Sequence, residues 1–236
     1  MPSPISGLGA TIQRQSTTEQ VAAAVREAIL SGRIPPRTPL REVALASELG
    51  TSRSTVREAA RVLGGEGLVR YVMNRGILVA DVTACDVSDI YSARAAMEMA
   101  GLEALMSSRD PAVYRRLAEL TDQIEHAFGR GDIAAVLDGD RLFHATLVGA
   151  AGSSRLERFY TQLQQEQRLA LSLAERSSRE LGRTADDHRE LLESLRGEPA
   201  QARAQLTAHL RSGANELQRL LDLLAQRKGS EARDGG

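Results

Sequence analysis

Tryptophan is absent, and three phenylalanines and four tyrosines, 3% of the 236 residues, are the whole aromatic complement. So few aromatics, in a chain where Ala, Leu, Arg and Glu dominate, suit packed helices rather than sheets. Cysteine occurs once, at Cys85, which excludes an intramolecular disulfide framework and fits a reducing cytoplasm. Lysine also occurs once, at Lys228, so the basic residues are almost all arginine, a compositional bias and not a functional signal. No apolar run reaches membrane-spanning length, and the N-terminus lacks a basic-then-apolar export pattern. The expectation is a cytoplasmic protein that neither enters nor crosses a membrane. A phosphate-cradling glycine loop, a Gly-x-Ser-x-Gly elbow and a cysteine cluster are all missing, which removes the usual starting points for phosphoryl transfer, serine hydrolysis and structural zinc.

The length allows one large or two modest domains, and the charge favours two. The net charge of −1 hides an asymmetry: residues 1 to 80 carry ten arginines against six glutamates, while the remainder carries twenty basic against twenty-five acidic residues. A basic first third is the electrostatic footprint expected of a nucleic-acid-binding part. Residues 1–16, rich in Ser, Pro and Gly, read as a poorly ordered arm. Thr17 or Thr18 can then cap a helix with Val21, Ala24, Val25, Ala28 and Ile29 inward, which stops at Ser31-Gly32 before Pro35-Pro36.

Residues 41–63 read as two short helices meeting at Gly50. Leu45, Ala46 and Leu49 make one apolar stripe, and Gly50 supplies the positive φ that ends the first helix. Ser52 can cap a second helix with Val56, Ala59, Ala60 and Leu63 inward. That leaves Arg53, Ser54, Thr55 and Arg57 at the exposed start of the second helix, where a recognition helix meets base edges and phosphates. The same spacing also fits an ordinary helical hairpin with solvated arginines. The residues beyond the second helix favour a recognition helix. After Gly64-Gly65-Glu66-Gly67 come two β-rich runs, Leu68–Val72 and Ile77–Ala80, joined through Met73-Asn74-Arg75-Gly76. A two-stranded wing behind a helix-turn-helix is a winged helix, and Arg75 beside Gly76 at its tip can follow a narrow minor groove.

These positions resemble the GntR family of transcription regulators. The likeness runs through Ile29, Gly32, Leu40, Glu42, Leu45-Ala46, Leu49-Gly50, Ser52-Arg53, Val56-Arg57-Glu58-Ala59, Leu63, Glu66–Val69 and Arg75-Gly76. Two positions depart from the family pattern. Pro36-Arg37 stands where Pro-Gly is usual, which questions a turn, and Val43 stands where some members carry an arginine, which removes one possible DNA contact.

After a short linker at 81–86 the periodicity becomes helical throughout, with stretches near 86–107, 111–129, 132–150, 153–178, 180–196 and 199–227 and a polar tail at 228–236. No strand pattern appears, so residues 87–227 are expected to form an all-α antiparallel helical bundle. The fold class expected for the chain is mostly α: a winged helix-turn-helix at 17–80, then the bundle. Asp140 and His144 share one helix face at i and i+4, and a helix reversal near Gly197 can bring His188 and His209 to the same level. One carboxylate with three imidazoles suits a divalent transition metal such as zinc, nickel or manganese. The spacing is equally compatible with histidines that are simply solvated or hydrogen-bonded. Arg94 and Glu98 are either an exposed i,i+4 ion pair or an inward arginine whose fork holds a ligand carboxylate.

This second half resembles the FCD ligand-binding domain of the FadR-type branch of the same family, through Arg94 with Glu98, Asp140–His144, Asp187-His188-Arg189 and Ala208-His209-Leu210. The resemblance implies that Asp140, His144, His188 and His209 hold a metal and that the effector is a small organic acid, which the inward reading of Arg94 would hold by its carboxylate. Taken together, a repressor that binds double-stranded operator DNA as a homodimer is expected, since one recognition helix reads few base pairs and a dimer reads a near-palindrome. A metal enzyme built on the same four residues is the competing class, but no general base or acid stands beside them.

Overall fold

The computed structural model describes residues 16–173 and 178–234. Of the arm expected at 1–16, residues 1–15 lie outside the described residues, and Ser16 belongs to the first helix as its cap. The elements are α1 (Thr17–Leu30), β1 (Pro39–Leu40), α2 (Glu42–Glu48), α3 (Arg53–Gly65), β2 (Val69–Val72), β3 (Gly76–Val79), α4 (Ala84–Ser108), α5 (Pro111–Gly129), α6 (Ile133–Gly149), α7 (Ser154–Leu173), α8 (Ser178–Ser194) and α9 (Pro199–Asp234). They fall into two compact units that meet between Ala80 and Asp81.

In the first unit, Ser16 caps α1 through a capping box with Glu19, one residue before the cap expected from the sequence. Val21, Ala22, Val25 and Ile29 face inward, whereas Ala24, expected inside, is exposed, because the buried stripe passes through Ala22 instead. Val56, Ala59, Ala60 and Leu63 of α3 are all buried. On α2 only Ala46 is, and Leu49 stays 37% exposed because it closes the last turn of a helix too short to shelter it. Gly50 has φ +60, the left-handed conformation that the turn requires. The wing pairs Val69 with Val79 through to Val72 with Gly76, and the sheet order is β1-β3-β2. Strand β1, with Pro39 opposite Leu78 and Leu40 opposite Ile77, had no sequence signal, being two residues long and half proline. The loop before it keeps its turn despite lacking glycine, for Arg37 takes φ +63 and donates its N–H to the Val79 carbonyl at 3.0 Å.

The second unit is all helical among the described residues. Its first helix begins at Ala84 behind a Thr83–Asp86 capping box, so the expected linker at 81–86 is shortened to 81–83. Helix α8 begins at Ser178, two residues before the stretch expected from 180. The last helix runs through Asp234 instead of ending at 227, as the Ala, Arg and Glu beyond that point sustain a helix and no proline stops it. Helices α4 and α6 cross at Gly101, where an added Cβ would stand 2.1 Å from the Leu147 carbonyl oxygen. Only a residue without a side chain lets the two backbones approach this closely. No helix among the described residues is long and apolar enough to cross a membrane.

Candidate functional site

Three helices of the second unit aim imidazoles at one point. His144 comes from α6, His188 from α8 and His209 from α9, and their candidate ligand atoms lie within 4.8 Å of one another. The His144 and His209 Nε2 atoms are 3.0 Å apart. Asp140, one turn before His144, places Oδ1 3.9 Å from His144 Nε2 and 3.5 Å from His188 Nε2. Phe143 meets the His188 ring edge-on at 4.8 Å between centroids, forming an apolar wall on that side. The four residues named from the sequence are therefore together in space.

Beside them is a carboxylate that the sequence showed only as an ion-pair partner. Glu98 is completely buried; Oε2 lies 2.6 Å from His144 Nδ1, and Oε1 accepts from Arg94 Nε at 2.9 Å and from Tyr160 Oη at 2.6 Å. Burial alone would push its pKa up, but the His144 ring, the Arg94 guanidinium and these hydrogen bonds outweigh it and hold the value at about 2. An ionised Glu98 on Nδ1 fixes the tautomer of His144 and turns Nε2 toward the other ligands, as carboxylates behind metal-binding histidines do. Tyr160 was missed, although Tyr160, Gln164 and Gln167 recur at helical spacing along α7 and are all buried, a polar stripe that the sequence contains.

Arg94 and Glu98 make the i,i+4 pair, and of the two readings left open the exposed one is excluded: their side chains are 4% and 0% accessible. The turn that carries them faces the α6 crossing instead of solvent. Arg94 also lies over the Tyr91 ring, 4.8 Å from its centroid, and Gln167 Nε2 donates to Tyr91 Oη at 3.2 Å. Burial opposes the charge on Arg94, but Tyr160, Glu98, Tyr91 and Asp140 together raise its pKa well above the ordinary value, so it is a permanent buried cation.

The donor set fits a divalent transition metal. Burial, reinforced by His188 and His144, lowers the His209 pKa well below the ordinary value, so its ring is the neutral form that coordinates. Its Nδ1 has no hydrogen-bond partner among the described residues.

In the first unit Arg53, Ser54 and Arg57 are exposed at the start of α3, while Thr55 is half-buried and shares the cap, its Oγ1 being 2.8 Å from Ser52 Oγ. Arg75 and Gly76 are exposed at the wing tip, where Asn74 at φ +63 and Gly76 at φ +76 make the bend.

A winged helix joined to a helical unit is the architecture of a DNA-binding transcription regulator. Residues 17–79 match the model of the bacterial regulatory proteins of the gntR family, and residues 89–212 match the FCD domain. A protein of Paenarthrobacter nicotinovorans named "Probable D-xylose utilization operon transcriptional repressor" is 30% identical over 86% of this chain and 91% of its own length. The gluconate operon transcriptional repressor of Bacillus licheniformis is 30% identical over 64% of this chain and 62% of its own. Among solved structures, a GntR transcriptional regulator of Rhodococcus sp. RHA1 aligns with a TM-score of 0.73 at 29% identity, covering 86% of this chain and 98% of that one. The chain belongs to the GntR family of transcription regulators, in the branch that carries an FCD domain. That family consists of DNA-binding regulators and not enzymes, which removes the metal-enzyme alternative.

Proposed function

We propose that the chain is a cytoplasmic, homodimeric repressor that leaves its operator when a small carboxylate binds beside a metal in the second unit. The carrying observation is the convergence of Asp140, His144, His188 and His209 from three helices, with the buried Arg94 cation next to them. The four side chains hold the ion, and a bound divalent ion supplies Lewis acidity and open positions for an anion. Asp140 offers the anionic donor, Glu98 orients His144, and Arg94 presents to the effector the fork edge that its bond to Glu98 does not use. Counted with a divalent ion, the charges of Arg94, Glu98 and Asp140 leave one net positive charge, which a single carboxylate neutralises. Exposed Arg53, Ser54 and Arg57, with half-buried Thr55 between them, read the operator from α3, and Arg75 with Gly76 follows the adjoining groove. An effector bound between helices favours one arrangement of the bundle, and a tenfold loss of operator affinity requires about 1.4 kcal/mol of preference for the DNA-incompetent state.

Metal analysis of the purified chain tests the centre. About one divalent ion per subunit is expected, and His144→Ala and His209→Ala should each lose it. Retention equal to the parent in both variants overturns the site. With metal present, a panel of small carboxylates is titrated against the operator complex of the parent and of Arg94→Ala. An equal response in the two removes Arg94 from the effector site while leaving the metal in place. Sedimentation equilibrium that returns a monomer at operator-binding concentrations excludes the dimer.

A further inference from the structure

The two arginines on the exposed face of α3 are not equivalent. Among the described residues Arg53 makes no direct salt bridge, although its charge also acts on the Glu42 carboxylate, whereas Arg57 is held at two points by Glu42, the first residue of α2. Arg57 Nε donates to Glu42 Oε1 at 3.1 Å and Nη2 donates to Oε2 at 2.7 Å. The hydrogen bond from Arg57 holds the Glu42 carboxyl below the usual carboxylate range, so the pair is fully charged at neutral pH. The wing reaches the same residue, for Tyr71 Oη donates to the Arg57 carbonyl at 3.4 Å. Next to Glu42, Val43 is 62% exposed and brings no cation, and both residues line a groove of about 520 Å³ together with Arg41, Arg75 and Gly76. A carboxylate thus stands among the arginines of the face proposed to meet DNA.

A guanidinium fork that matches a carboxylate also matches a phosphate, so Glu42 and a DNA phosphate compete for the same two nitrogens of Arg57. The pair is partly exposed, with side chains 49% and 23% accessible, and is therefore screened and exchangeable. We propose that Glu42 is a selectivity residue for DNA: it occupies the Arg57 fork in the free protein and withholds that charge from the backbone of arbitrary duplexes. A non-operator phosphate that takes Arg57 must displace Glu42 and then lie beside an uncompensated carboxylate. On the operator the base contacts made from the start of α3 offset that displacement. On other DNA nothing does. Glu42 therefore weakens non-specific binding more than operator binding, and widens the ratio between them.

The role holds only if α3 is the DNA-reading helix, and the experiment separates the two failures. A duplex selected by the full-length parent from a randomised pool and a scrambled duplex of the same length are titrated across a salt series with the parent, Glu42→Gln, Arg57→Ala and the double variant. Glu42→Gln keeps size and one acceptor but removes the charge. It should tighten binding to the scrambled duplex by about three- to tenfold near physiological salt, and steepen its salt slope by about 0.9, one additional phosphate contact. Operator affinity should rise less, so the ratio falls. The slope does not depend on how much of the sample is folded, which keeps the test valid if the variant is less stable. In the Arg57→Ala background the gain should largely vanish. An unchanged slope on the scrambled duplex, or a gain that persists without Arg57, overturns the inference. If Arg53→Ala binds the selected duplex as well as the parent, the recognition-helix reading itself fails, whatever Glu42 does.

Discussion

Each unit contains an arginine paired with a glutamate, and the two pairs have opposite characters. Arg57 and Glu42 join α3 to α2 at the surface, 49% and 23% accessible, whereas Arg94 and Glu98 lie along one helix at 4% and 0%. The exposed pair is open to exchange with water, salt or phosphate, and its value lies in being breakable. The interior pair has no water to fall back on: Glu98 is satisfied by Arg94, His144 and Tyr160 together, and removal of any member leaves the others buried and unmatched. Burial, and not residue type, separates a contact that can be traded from one that holds a site in shape.

The largest effect that tests this contrast is Glu98→Ala. It leaves the Arg94 cation buried without its carboxylate, and should lower the unfolding free energy of the metal-free second unit by about 3 to 5 kcal/mol in denaturant titration. Glu42→Ala should leave the unfolding midpoint of the first unit where it is. Equal losses from the two substitutions would erase the distinction. A second test uses pH. All four histidines lie beyond Ala80, and His209 has a folded-state pKa below its unfolded one, so the unfolded chain takes up the proton more readily. The stability that His209 contributes is complete above its unfolded value of about 6.5 and is lost as the pH falls through it. In chelator, hydrogen exchange followed by mass spectrometry should show protection falling in the second unit between neutral and mildly acid pH, while the histidine-free first unit holds. His209→Gln should remove that part of the slope, and parallel losses in both units would refute it. The smallest effect belongs to the first unit alone. Arg37 at φ +63 carries the left-handed penalty that glycine avoids, so Arg37→Gly should raise thermal stability slightly, by less than about 1 kcal/mol once the greater freedom of unfolded glycine is subtracted. A decrease would mean that the Arg37 side chain stabilises the loop by more than its backbone strains it.

The winged helix was legible because its signals are local: Gly50 at the turn, Ser52 at the cap and the two β-rich runs of the wing each act within a few residues. Strand β1 was not, since Pro39 and Leu40 become a strand only when β3 is already beside them. In the bundle, Asp140 and His144 announced themselves by spacing on one helix, and His188 and His209 by their places on either side of the Gly197 reversal. The part played by Glu98 was hidden. Whether a Glu four residues after an Arg faces water or an imidazole is decided by how closely α4 and α6 pack, and that depends on Gly101, Leu147 and Val148, residues with no chemistry of their own. Tyr160 was hidden for a related reason, because the inward polar stripe of α7 has meaning only once the carboxylate it serves is known to be inside.

Gly101 carries that dependence further. It lies three residues beyond Glu98, and its neighbour across the crossing, Leu147, lies three beyond His144, so the same contact that excludes a Cβ at position 101 sets the 2.6 Å reach between carboxylate and imidazole one turn away. A chain could keep Asp140, His144, His188 and His209 unchanged and still lose the proposed ion site through a single methyl group at position 101, because the widened crossing would carry His144 away from the carboxylate that orients it. Competence to coordinate is then a property of the thickness of a helix crossing. An inventory of ligands along the sequence would score such a chain as intact.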